Sequence, residues 1–219
     1  MLETKTSGRT TDRMSDLVYR RLRDSLVTLE YLPKTPLNER NLSAELNVGL
    51  APIREALRRL ERERLVVIYP RQGIFAAEIA ITDQQLIKEI RLEIEGLAAE
   101  LAALRASDDE RQALVKLADA VVLVTNSSEK INGDAKVHRA IYQMARNSFL
   151  EPILAMHFNL SLRLWHFCSR MVRRPDMGPI DHRPLARAIA AGDAALARRL
   201  LSEHVAHDSD ALRDILRAC

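Results

Sequence analysis

The 219-residue sequence is poor in aromatic side chains, which make up 4% of it, and holds only two cysteines, Cys168 and Cys219. Sandwiches and barrels draw on aromatic and β-branched residues, so this scarcity beside an abundance of Ala and Leu points to helices. Two cysteines set no disulfide framework. No apolar run is long enough to cross a bilayer, and the N-terminus lacks the apolar core of a secretory signal, so the expected location is cytoplasmic. Charge of either sign is also nearly absent in net terms. The formal balance is +3, and all of it lies in residues 1–78, which carry 14 Lys and Arg against 11 Asp and Glu; the remainder has 19 of each. That local excess is modest support for phosphate contact in the first part of the chain. The 47% hydrophobic content is enough to bury a core, and the length suits one or two domains.

The most informative stretch runs from Asn38 to Glu63, NERNLSAELNVGLAPIREALRRLERE. Asn38 can cap a helix carrying Leu42 and Leu46 on one face. Asn47 tolerates the left-handed conformation that ends a helix, Val48 can plug the corner, and Gly49 comes next. Pro52 suits the first turn of a second helix, with Ile53, Ala56, Leu57 and Leu60 as its buried stripe and Arg54, Arg58 and Arg62 opposite. Interleaved with Glu55, Glu61 and Glu63, those arginines alone read as a solvated face. The next stretch, LVVIYPRQGIFAA, changes that weighting. Val66–Tyr69 and Ile74–Ala77 are strand-like, and PRQG is the turn between them. A helix pair followed by a hairpin is a winged helix-turn-helix, whose second helix enters the major groove while the wing, with Arg71 at its tip, reaches the backbone or minor groove.

PIREALRRLERERLV followed by PRQGIFAA resembles the DNA-binding domain of GntR-type bacterial transcriptional regulators, and the chain beyond the hairpin resembles their FadR subfamily; the resemblance extends from about Leu17 onward. It implies DNA-contact roles for Arg40 and Arg54, with Arg58 and Arg71 on the same surface, and makes Gly73 the wing glycine. Two departures stand out. Gly49, Leu50 and Ala51 replace the usual Ser-Arg-Thr, so an arginine that normally contacts DNA is absent and the usual operator is in doubt. Lys34 stands where a turn glycine is common.

Residues 1–12 read as a flexible tail, 13–78 as the winged helix-turn-helix domain, 79–82 as a linker and 83–219 as an all-α antiparallel bundle for metal, effector and dimer contacts. The first helix spans Met14 to about Glu30, with Leu17, Leu22, Leu26 and Leu29 as its apolar positions. Thr82 with Gln85, and Ser107 with Glu110, form capping-box patterns opening helices to about Arg105 and Thr125. Asn126-Ser127-Ser128 breaks the second. Further helices are expected over Asp134–Arg146, Phe149–Arg173, Asp181–Ala191 and Asp193–Arg217, with a loop marked by Arg174-Pro175 and Gly178-Pro179.

Asp134 and His138, four apart, share a helical face, and imidazole with carboxylate is an ordinary ligand set for a divalent metal. Spacing cannot say whether His182 and His204 join them. The FadR-subfamily resemblance does: GDAKVHRAIYQMARN, DHRPLARAIAAGD and SEHVAHDS match the motifs that supply one Asp and three His, which implies Asp134, His138, His182 and His204 as ligands. Four mixed donors do not choose among Zn, Ni and Mn. The resemblance also implies a small carboxylate effector clamped by Arg91, whose plainer reading is an intrahelical pair with Glu95. Asn159 and Arg163 are further candidates for the effector cavity. His157 and His166, on a strongly apolar helix, read as packing residues, His207 as lying too far round the helix, and Cys168 as a small buried apolar residue.

These readings converge on a transcriptional regulator, in the commoner case a repressor, that binds a double-stranded operator as a homodimer. Two rivals stay open: a regulator whose metal only holds the bundle together, and a metal-dependent enzyme. The enzyme lacks an evident general base and leaves the winged helix without a role.

Overall fold

The computed structural model describes residues 7–80, 82–124, 126–171 and 181–218. The chain divides into two compact units, Met1–Ile79 and Ala80–Cys219.

In the first unit, α1 (Ser7–Val27) packs on α3 (Leu50–Arg62), and α2 (Glu39–Glu45) completes the helix pair. The helix therefore covers residues 7–12 of the expected tail; residues 1–6 lie outside those described. Extending a formed helix costs little, so weak helix formers can continue one that Val18, Leu22 and Leu26 anchor in the core. Leu17 faces out, and Val18 takes the place expected for it. Asn38 caps α2 as its side chain accepts from the Arg40 and Asn41 amides, and Asn47 ends the helix at φ 52°. Ile53, Ala56, Leu57 and Leu60 form the buried stripe of α3.

The wing is an antiparallel pair, β1 (Val66–Tyr69) and β2 (Gly73–Ala76), one residue earlier on its second strand than the sequence suggests. Arg71 and Gly73 take positive φ, 64° and 125°, to close the turn. An extended segment not anticipated from the sequence lines the other edge of β2. Pro36 bridges Phe75, and the Lys34 and Leu37 amides donate to Ala76 and Ile74. Lys34 sits at φ 67°, the left-handed geometry for which a glycine is the usual solution.

The second unit is helical throughout its described residues: α4 (Asp83–Arg105), α5 (Asp108–Val122), α6 (Ser127–Met144), α7 (Leu150–Met171), α8 (Arg183–Ala190) and α9 (Ala194–Ala218). Helix α4 packs against α6, α7, α8 and α9, and it runs antiparallel to α9, as the pairs Gln84–Ser209, Leu92–Ser202 and Glu100–Arg198 show. The expected capping box at Ser107 is present, with reciprocal bonds to Glu110. The one expected at Thr82 is not. Thr82 is itself helical at φ −62°, ψ −24°, outside the extended geometry from which a cap hydroxyl reaches forward, and Gln85 bonds Glu89 instead. Helix α6 begins seven residues before the expected Asp134, passing through Gly133. That glycine is held by packing, since a Cβ there would lie 2.9 Å from Val121 Cγ2 of α5. Asn126 opens α6, accepting from the Glu129 amide, so the break signal is a start signal. The loop expected around Arg174-Pro175 and Gly178-Pro179 lies outside the described residues, as does the end expected for α7 at Arg173. No helix among those described is long and apolar enough to cross a membrane.

Candidate DNA interface and metal centre

The outer face of α3 presents Arg54, Arg58 and Arg62, all exposed, while its first turn offers Leu50 and Ala51. Arg54 is not loose: its Nε donates to Glu39 Oε2 of α2 at 2.9 Å. Arg40 is exposed at the start of α2, and Arg71 is exposed at the wing turn. Gly49 precedes α3 without a side-chain cap, a direct consequence of its replacing the expected serine. The wing glycine, Gly73, is at the exposed end of β2.

The second site lies inside the helical unit. Asp134 and His138 come from the middle of α6, His182 from the residue preceding α8, and His204 from α9. One ligand atom from each lies within 4.8 Å of every other. Three imidazole nitrogens surround a single carboxylate oxygen: Asp134 Oδ1 is 2.7 Å from His182 Nε2, 3.4 Å from His204 Nε2 and 3.5 Å from His138 Nε2. The Nε2 atoms of His138 and His204 are buried without a hydrogen-bond partner among the described residues. Three imidazole nitrogens gathered around one carboxylate oxygen in a largely buried site match the donors and the placement of a divalent metal.

The electrostatics agree. Burial pulls the His138 pKa down, and the Glu95 and Asp134 carboxylates overcome it and raise it to about 10. A proton thus occupies His138 when nothing else does, and a metal would displace it. Burial and the neighbouring imidazoles lower His182 despite its bond to Asp134, and the surrounding histidines hold Asp134 well below the usual carboxylate range against its burial.

Glu95, which the sequence shows only as the partner of Arg91, proves to be part of the centre. Its Oε2 meets His138 Nδ1, and its Oε1 accepts from Arg91 Nε. A carboxylate with a pKa of about 2 can only accept, so Nδ1 carries the hydrogen and Nε2 is directed to the cluster. Arg91 is 2% exposed, also donates to Ser161 Oγ at 2.7 Å and lies over the Phe158 ring. Phe158 in turn stacks on His138. Asp208, one turn beyond His204, is buried and accepts from Trp165 Nε1 at 2.8 Å; burial raises its pKa. The i,i+4 spacing that reveals Asp134 and His138 would also have flagged Asp208.

Asn159 and Arg163 are buried on α7. Asn159 accepts from Arg139 at 3.4 Å, and burial lowers the Arg163 pKa to about 10. His157 binds the Ile153 carbonyl, His166 is pushed to about 4 by burial and by Arg170, and His207 is exposed; none belongs to the cluster. Cys168 is fully buried.

A hairpin packed behind a helix pair defines a winged-helix DNA-binding protein, here with a helical partner domain holding a buried His/Asp cluster. Residues 14–76 match the bacterial regulatory proteins of the gntR family and residues 87–207 match the FCD domain, and the chain belongs to the GntR family of regulators that carry an FCD domain. It is 27% identical over 206 residues to the HTH-type transcriptional regulator YdhC of Bacillus subtilis strain 168, covering 90% of each chain. With the HTH-type transcriptional repressor RspR of Escherichia coli K12 it shares 24% over 208 residues, 94% of this chain and 91% of the other. Among solved structures, E. coli McbR/YncC superposes with a TM-score of 0.75 at 22% identity, covering 92% of this chain and 97% of that one, a likeness of fold. The family and the relatives YdhC and RspR are transcriptional regulators, not enzymes.

Proposed function

We propose that this protein is a FadR-subfamily repressor that binds a pseudo-palindromic operator as a homodimer and responds to a small organic acid. The observation that carries the reading is the convergence of Asp134, His138, His182 and His204 on one point inside the helical unit, with two imidazole nitrogens lacking hydrogen-bond partners among the described residues. These four would hold a divalent Zn, Ni or Mn ion, which when bound supplies the positive charge that orients a carboxylate. Glu95 keeps the His138 lone pair aimed inward, and Arg91 holds Glu95. Because the Arg91 guanidinium is committed to Glu95 and Ser161, its assigned role is to position that carboxylate, and Asn159 and Arg163 are the better candidates for meeting the effector. DNA contact is assigned to Arg40, Arg54, Arg58, Arg71 and the backbone at Gly73. Repression is the activity for which the relative RspR is named, and it is carried over to this chain. Dimerisation is supported by apolar side chains left exposed on α4 and at the start of α7, namely Leu86, Ile90 and Leu104, Phe149 in the turn before α7, and Ile153 within it.

The test pairs two measurements on the full-length protein. Fluorescence anisotropy against DNA from upstream of its own gene should show selective binding that weakens steeply with salt, and equal weak binding to an unrelated fragment would count against the reading. Metal analysis after gel filtration should find about one ion per chain, lost when His182 and His204 are both replaced by alanine. Full retention in that variant would refute the ligand set.

A further inference from the structure

Arg54 is the first side chain of α3 that can donate a hydrogen bond, since Leu50, Ala51, Pro52 and Ile53 carry no donor. Its Nε is held by Glu39 Oε2 at 2.9 Å, and its η-nitrogens have no acceptor among the described residues. The carboxylate is the more sheltered partner, 28% exposed against 55% for the arginine. Its backbone is in turn anchored, because Asn38 caps the two amides that follow Glu39. Exposed ion pairs add little stability, and an acid beside the DNA-facing helix opposes phosphate contact.

We propose that Glu39 is a positioning residue for base recognition. It grips Arg54 by Nε, so that the two η-nitrogens form a preset fork for O6 and N7 of a guanine, and its charge discourages Arg54 from settling on the phosphate backbone. With no donor at positions 50 to 53, guanine reading from the first turn of α3 falls to this pair. The inference rests on the regulator reading above and specifies how that interface selects sequence.

Selection of duplexes from a pool with randomised half-sites, using the full-length protein, gives the preferred operator. Affinities of the wild type, Arg54→Ala and Glu39→Gln are then measured on that duplex, on single-base variants including 7-deazaguanine, and on random DNA. Arg54→Ala should erase a guanine preference at one position per half-site. Glu39→Gln should weaken the preference at that same position by about ten-fold while binding to random DNA tightens. An unchanged preference in Glu39→Gln, or an equal loss on every duplex, would overturn the proposal, with thermal unfolding confirming that the variant is folded. Failure of the wild type to select any consensus would remove the regulator reading as well, whereas a consensus lacking an Arg54-dependent guanine would overturn this inference alone.

Discussion

A carboxylate as deeply buried as Glu95, 1% exposed, stays ionised only where cations surround it, and Arg91 and His138 do so from two sides. Burial raises its pKa, and the two cations outweigh that and lower it from 4.5 to about 2. Between these values the unfolded chain holds more protons than the folded one, so stability falls as pH drops through that window. In metal-stripped protein, Glu95→Gln should therefore be less stable by about 3–5 kcal/mol near neutral pH, because it strands a buried arginine. The difference should shrink toward pH 2, as thermal unfolding at successive pH values would show; a constant gap would contradict the assignment. At the other site, Leu50→Arg restores a donor where the family resemblance has one. It should tighten or redirect DNA binding in an anisotropy assay, and unchanged affinity and preference would mean that the departure is silent.

Elements begin and end here largely for local reasons, which is why much of their order is readable from neighbouring residues. Asn38, Asn47, Ser107 and Gly192 each act within a turn of their own position, the last at φ 74° between α8 and α9. Ser107→Ala removes one half of a reciprocal cap on α5 and should cost about 1 kcal/mol in chemical denaturation; a cost near zero would show that water replaces the bond. The local reading falls short where packing intervenes. The sequence starts a helix at Asp134, yet α6 begins at Ser127 and runs through Gly133, where the close approach of Val121 leaves no room for a side chain. Thr82 looks like a cap, yet its backbone is already helical.

At the scale of the molecule, the two units divide the work, one carrying basic side chains on an exposed helix and the other a buried polar centre. Chelation should lower the unfolding temperature of the helical unit, because binding to the folded state alone stabilises it by mass action. If the metal also orients the effector, chelation should abolish the effect of small acids on operator affinity; loss of stability with the response intact would favour the purely structural metal. Replacing exposed apolar side chains, as in Ile90→Glu with Phe149→Glu, should shift the protein toward monomer in analytical ultracentrifugation, and an unchanged dimer would place the interface elsewhere. The helix pair, the hairpin, the run of helices after it and the shared face of Asp134 and His138 are legible in the residues alone, since each depends on positions a few apart. That His182, 48 residues on, meets the Asp134 carboxylate, and that a helical Arg91–Glu95 pair reaches His138, 43 residues from Glu95, emerges from the packed fold. Those meetings depend on how α4, α6, α8 and α9 pack, and no local spacing encodes that.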